Sequence, residues 1–184
     1  MKKKIELRAA SDDVRHFDNT SLTEEILLRA WNESTSAGII IPIYINNHWN
    51  EINKKKKSII SDHIQSLDIR RDQIKHAIIS GEWPGTTSLS SKKLFIEISK
   101  SNNLLKSLIP TFDSIWSTDN SWEDLSLYKG RSMIFYQCTH EKFGEIAITS
   151  KNTASKSSLS RSESSSWLLS GIELSASDID EIFS

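Results

Sequence analysis

The stretch "CTHEKFGE", Cys138 to Glu145, sets a thiol, an imidazole and two carboxylates within eight positions. Two chemistries could use such a set. A zinc hydrolase of the HExxH type needs two imidazoles on one helical face. Here His140 and Glu141 are followed by Gly144 where the second His would stand, so that pattern is incomplete. A cysteine nucleophile needs a base within about 3 Å. Cys138 and His140 are two positions apart, roughly 6–7 Å along a strand, which is too far for a direct hydrogen bond. A hydrolase or transferase built on Cys138 and His140 is the weakest of three functional readings. The stretch reads better as the tip of a β-hairpin.

That hairpin would be made by "RSMIFYQC" (Arg131 to Cys138) and "FGEIAITS" (Phe143 to Ser150), joined by Thr139 to Lys142. Four residues suit a hairpin loop. "KLFIEIS" (Lys93 to Ser99) alternates as a strand does, and "GIIIPIYI" (Gly38 to Ile45) is short and β-branched. Pro42 has no amide proton, which assigns the latter to an edge or a bulge. "WLLSGIEL" (Trp167 to Leu174) is a further candidate strand.

Helical spacing begins with Leu22, Ile26, Leu27, Ala30 and Trp31, behind a capping box at Ser21 to Glu24, and ends near Glu33. It returns between Asn47 and Leu67, around the run Lys54 to Lys57. Asp68 is expected to cap another helix through Ile74, Ala77 and Ile78, stopped at Gly81. "NNLLKSL" (Asn102 to Leu108) is a short helix ended by Pro110, and Ser177 is expected to cap a closing one, Asp178 to Phe183. The Ser-rich segment 151–166 has almost nothing to bury and reads as a flexible loop. The fold class is α+β: a single domain over 1–184, an antiparallel sheet with helices packed on one face.

The segment "HIQSLDIRRDQIKHAI" (His63 to Ile78) has the outline of a helix-turn-helix, with Arg70, Arg71 and Lys75 on its second half and Lys54 to Lys57 ahead of it. Clustered cations of this kind track phosphates. Asp68 at the turn, and Asp62 and Asp72 nearby, dilute the pattern, so a nucleic-acid-binding regulator is the second reading.

The favoured reading rests on acids and tryptophans. "DSIWSTDNSWED" (Asp113 to Asp124) holds four carboxylates and no Lys or Arg, with Trp116 and Trp122 between them. The tail carries Glu163, Glu173, Asp178, Asp180 and Glu181. Carboxylates steer a cationic partner and aromatic side chains supply contact energy. The expectation is a non-enzymatic binding or inhibitor protein, such as a bacterial immunity protein neutralising a basic, nuclease-type toxin. Trp116, Asp119, Trp122, Glu123, Asp124, Asp178, Asp180 and Glu181 would form one partner-binding patch.

Composition supplies the frame. The chain has 184 residues, a formal net charge of −1 and 37% hydrophobic residues. No global field recruits nucleic acid or anionic lipid. A lone cysteine excludes an internal disulfide and suits a reducing compartment. The basic start lacks the apolar run of a signal peptide, and no apolar window approaches a membrane span. The glycine-rich nucleotide-binding motifs and GxSxG are absent. A cytoplasmic location is expected, with no cofactor, metal or membrane.

Overall fold

The structure, a computed structural model, describes residues 3–9, 14–45, 48–87, 91–101, 103–147 and 166–184. The expected Ser-rich loop lies almost wholly outside them.

Eleven strands and four helices are described. They run β1 (Lys3–Ala9), β2 (Val14–Asp18), α1 (Glu24–Glu33), β3 (Ser36–Ile41), α2 (Lys54–Ser66), β4 (Ile74–Ser80), β5 (Glu82–Trp83) and β6 (Thr86–Thr87). Next come β7 (Lys93–Ser99), α3 (Leu104–Leu108), β8 (Glu123–Lys129), β9 (Ser132–Cys138), β10 (Phe143–Ala147), β11 (Ser166–Glu173) and α4 (Ala176–Ile182). Nine of the strands form one sheet in the order β1-β11-β4-β7-β3-β8-β9-β10-β2, and β5 pairs with β6 alone. All neighbours in that order are antiparallel. The sheet also bends back on itself. Arg8 and Ala9 of β1 pair in parallel with Ser132 and Met133 at the start of β9, beyond the part that β10 occupies. Seven strands thus close a ring, and β10 and β2 branch from it, leaving β2 as an edge among the described strands.

Alternation along the central strands divides the core. Ile39 and Ile41 of β3, Leu94, Ile96 and Ile98 of β7, and Leu125 and Leu127 of β8 face the helices. They pack with Leu27, Ala30 and Trp31 of α1, Ile60 and Ile64 of α2, Leu104 and Leu108 of α3, and Ile179 and Ile182 of α4. The opposite face holds a smaller cluster: Ile40, Ile78, Trp83, Phe95, Tyr128, Met133 and Tyr136. No described helix contributes to it, so the helices sit on one face, as the α+β reading requires. Each Leu, Ile, Met or Phe among them, fully buried, contributes roughly 1.5–3 kcal/mol.

Local chemistry explains the helix ends, and in two cases moves them. Thr23, not Ser21, caps α1 by accepting from the Ile26 amide. Ser21 is drawn instead into a turn in which Asp18 accepts from the amides of Thr20 and Ser21. Ser175, not Ser177, caps α4 through a reciprocal box with Asp178. Asn53 caps α2 by accepting from the Lys56 amide at 2.9 Å.

Two expectations are corrected. The segment after Asp68 is not a helix: after a short 3-10 turn it runs as β4, buried on both faces from Ala77 to Ser80, and Asp68 takes a left-handed φ of 55° just beyond α2. Ile, Ala, Ile and Ile at these positions satisfy either period, and pairing with β7 decides for the strand. β3 is not an edge: it lies between β7 and β8, and Pro42 follows its last residue instead of interrupting it.

Candidate functional site

At one end of the sheet β3, β4 and β9 finish while β7 and β8 begin. Loops placed on a rigid scaffold in this way are where binding groups gather. Lys93 opens β7, Glu123 opens β8, and Thr139 to Lys142 form the turn after β9, as the hairpin reading expects.

The Glu123 carboxylate has a partner on each oxygen. Lys93 Nζ lies 2.5 Å from Oε2, and His140 Nε2 lies 3.0 Å from Oε1. The Lys93 and Glu123 side chains are 9% and 7% exposed, whereas that of His140 is 55% exposed. The imidazole therefore caps a buried ion pair from the solvent side. The Lys93 ammonium also sits 5.2 Å from the Tyr44 ring centroid and 5.7 Å from that of Trp83. Both rings present a negative face to the cation.

Asp124 forms the second half of the network. Its backbone adopts a left-handed φ of 51°, a conformation Asp tolerates better than most residues. That turn aims its carboxylate inward, where one oxygen accepts from the Thr139 amide at 2.8 Å and the other from Trp83 Nε1 at 2.6 Å. Thr139 Oγ1 in turn accepts from the Asp124 amide and from Gln137 Nε2. Burial pushes the Asp124 carboxyl above the usual carboxylate range, against the pull of the Thr139 and Trp83 hydrogen bonds. Tyr136, nearby on the inner face, is pushed up for the same reason, and Glu145 adds to it.

The eight residues expected to make one acidic patch are divided. Trp122 is core, its indole donating to the Leu108 carbonyl at 3.0 Å. Glu123 and Asp124 are buried in the network just described. Asp178 is tied into the α4 cap. The tail acids do meet cations, contrary to what their isolation along the chain suggests: Asp180 binds Arg71 at 2.6 Å, and Glu181 binds Lys57 at 2.8 Å and the Trp49 indole at 3.0 Å. Trp116 is partly buried against the core, with its indole nitrogen buried. The Trp116 ring meets Phe17 of β2 edge-on at 6.4 Å, and Asp119 is exposed.

The other sequence candidates are also accounted for. Cys138 is buried at the end of β9, and the Nε2 of His140 is held by Glu123. The helix-turn-helix outline lacks its second helix, because that segment is β4. Arg70 pairs with Asp72, and Lys75 lies 3.5 Å from Glu97. Among the described residues no group of three or more His, Cys, Asp or Glu side chains could hold a metal ion, and no helix is long and apolar enough to cross a membrane.

Sequence reasoning misses Lys93, Tyr44, Trp83 and Thr139. Thr139 stands in the opening stretch but is not singled out there, the other three lie in no motif, and each finds its partner far away in sequence. Compared with known protein families, curated proteins and solved structures, the chain matches none.

Proposed function

We propose that this chain is a non-enzymatic protein-binding protein that works in the cytoplasm and neutralises a basic partner, as a bacterial immunity protein does a nuclease-type toxin. The observation that carries the reading is the Phe17–Trp116 contact. It joins the β2 edge to the acidic segment around Asp113 and Asp119. Asp18 at the end of β2, Glu24 and Glu25 at the start of α1, and Asp113 and Asp119 are all exposed. Glu141 belongs to the same region, since the Asn19 amide donates to the Lys142 carbonyl. Arg15 and Lys142 are cations of the same region, and Arg29, beside Glu25 on α1, lies 3.6 Å from Glu33. Asp18 is held down to about 2 by hydrogen bonds from Thr20 and Ser21, so it stays charged in all but strong acid.

Such an edge attracts a cationic protein at long range and offers an open strand, with the partly buried Trp116 behind it, at contact. A binding role also fits the saturated network. Both oxygens of Glu123 and both of Asp124 are engaged within the protein, which makes the sheet end a rigid support.

The test is association kinetics against a panel of purified cationic nuclease domains. A complex should form fastest at low salt. The combined variant Asp18→Lys, Asp113→Lys, Asp119→Lys should slow association by roughly tenfold or more. Asp180→Asn, on α4, should not. Rates indifferent to both salt and charge reversal would remove the acidic edge from consideration.

A further inference from the structure

A different surface carries charge of the opposite sign. Tyr44 follows β3 with 56% of its surface exposed, the most of any large apolar or aromatic side chain described. Its backbone carbonyl accepts from Lys56 Nζ at 2.8 Å. Its ring lies 5.2 Å from Lys93 Nζ. The next residue, Ile45, donates its amide to the Lys92 carbonyl at 2.7 Å, which fixes Lys92 alongside. Lys54 and Lys55 occupy the same first turn of α2 as Lys56 and are exposed, as is Lys92. Among the described residues no carboxylate is paired with Lys54, Lys55 or Lys92. Over segments 42–56 and 81–92 the acids are Glu51 and Glu82, against four lysines.

We infer that Tyr44 with Lys54, Lys55, Lys56 and Lys92 forms a binding surface for single-stranded nucleic acid, a base stacking on the tyrosine ring while the ammonium groups take the flanking phosphates. An exposed aromatic face set among cations is what sequence-tolerant single-strand binding needs. A single strand uses both features at once, because every base has a π-face to set against the ring and every linkage a phosphate for the cations. The surface uses none of the residues of the acidic edge, so each stands or falls without the other.

The experiment is fluorescence anisotropy of a labelled oligothymidylate with the full chain, at rising salt, with a duplex of equal length and polyglutamate as competitors. The oligonucleotide should bind at low salt and outcompete both. Tyr44→Ala should weaken binding by roughly five- to a hundredfold, and Tyr44→Phe should retain it. The triple variant Lys54→Gln, Lys55→Gln, Lys92→Gln should flatten the slope of log affinity against log salt by about 0.7 for each phosphate that is no longer neutralised. Thermal unfolding of each variant confirms that it is folded. No binding at low salt, Tyr44→Ala binding as the parent does, or polyglutamate competing as well as the oligonucleotide would each overturn the inference. The last result would assign the surface to an acidic protein.

Discussion

Lys93 and Glu123 meet at the first residues of β7 and β8, two strands that do not touch each other in the sheet because β3 lies between them. The pair therefore ties strand starts across an intervening strand end. Removing two charges from water costs several kcal/mol for each ion, and attraction repays this only when the remaining hydrogen-bonding capacity is filled. His140 on the second Glu123 oxygen, and the two aromatic faces beside the ammonium, fill part of it.

Breaking the pair on one side should be far worse than removing it. Lys93→Met leaves Glu123 buried without its cation and should cost about 3–5 kcal/mol in urea unfolding. The double variant Lys93→Met, Glu123→Leu should recover most of that loss. A double variant as unstable as the single one would mean that packing, not charge, sets the cost.

Asp124 should give stability a pH dependence of unusual sign for a carboxylate. Its native pKa is raised, so between the ordinary value of 3.8 and the raised native value the folded protein holds a proton that the unfolded chain has lost. This contribution is fully present below 3.8 and declines as pH rises through the native value. Asp124→Asn should lack that decline, so the difference curve between parent and variant should display it. The substitution should also cost about 1–3 kcal/mol, since its amide group must face either the Thr139 amide or the Trp83 indole, donor against donor. Chemical unfolding over a pH series reads both effects.

Gly144 is where the β2 edge is most sensitive. A Cβ there would collide with the Tyr136 carbonyl of β9 and the Phe17 ring of β2. The carbonyl belongs to the sheet ladder and cannot step aside without opening β10 from β9. Gly144→Ala should cost roughly 1–3 kcal/mol or more. Amide exchange should quicken first in β2 and β10, while β4 and β7 stay protected.

Short-range pattern is the part of this fold that the sequence makes legible. The hairpin at Thr139 to Lys142, the strand from Lys93, α1 and the short helix before Pro110 follow from alternation, helical spacing and breakers within a dozen residues. β4 reads as helix because an Ile-rich run fits both periods until a neighbour is chosen. β8 escapes notice because "EDLSLYK" opens on two carboxylates, which look like solvent-facing loop residues. Their burial depends on Lys93, thirty positions earlier, and on Trp83, forty-one positions before Asp124. The acids of α4 look free along the chain for a related reason: Lys57 and Arg71 are distant in sequence and adjacent only after folding.

The ring of strands is joined by pieces from opposite ends of the sequence, β1 beside β11. A ribosome releases the first of these long before the second, so the nascent chain must carry an unzipped seam through most of its synthesis. Until β11 arrives, the backbone of β1 from Lys3 to Arg8 lacks the antiparallel neighbour it has in the finished sheet and is open to pairing with a wrong one. Slowing the completion of that seam should lower the yield of soluble product from the cell.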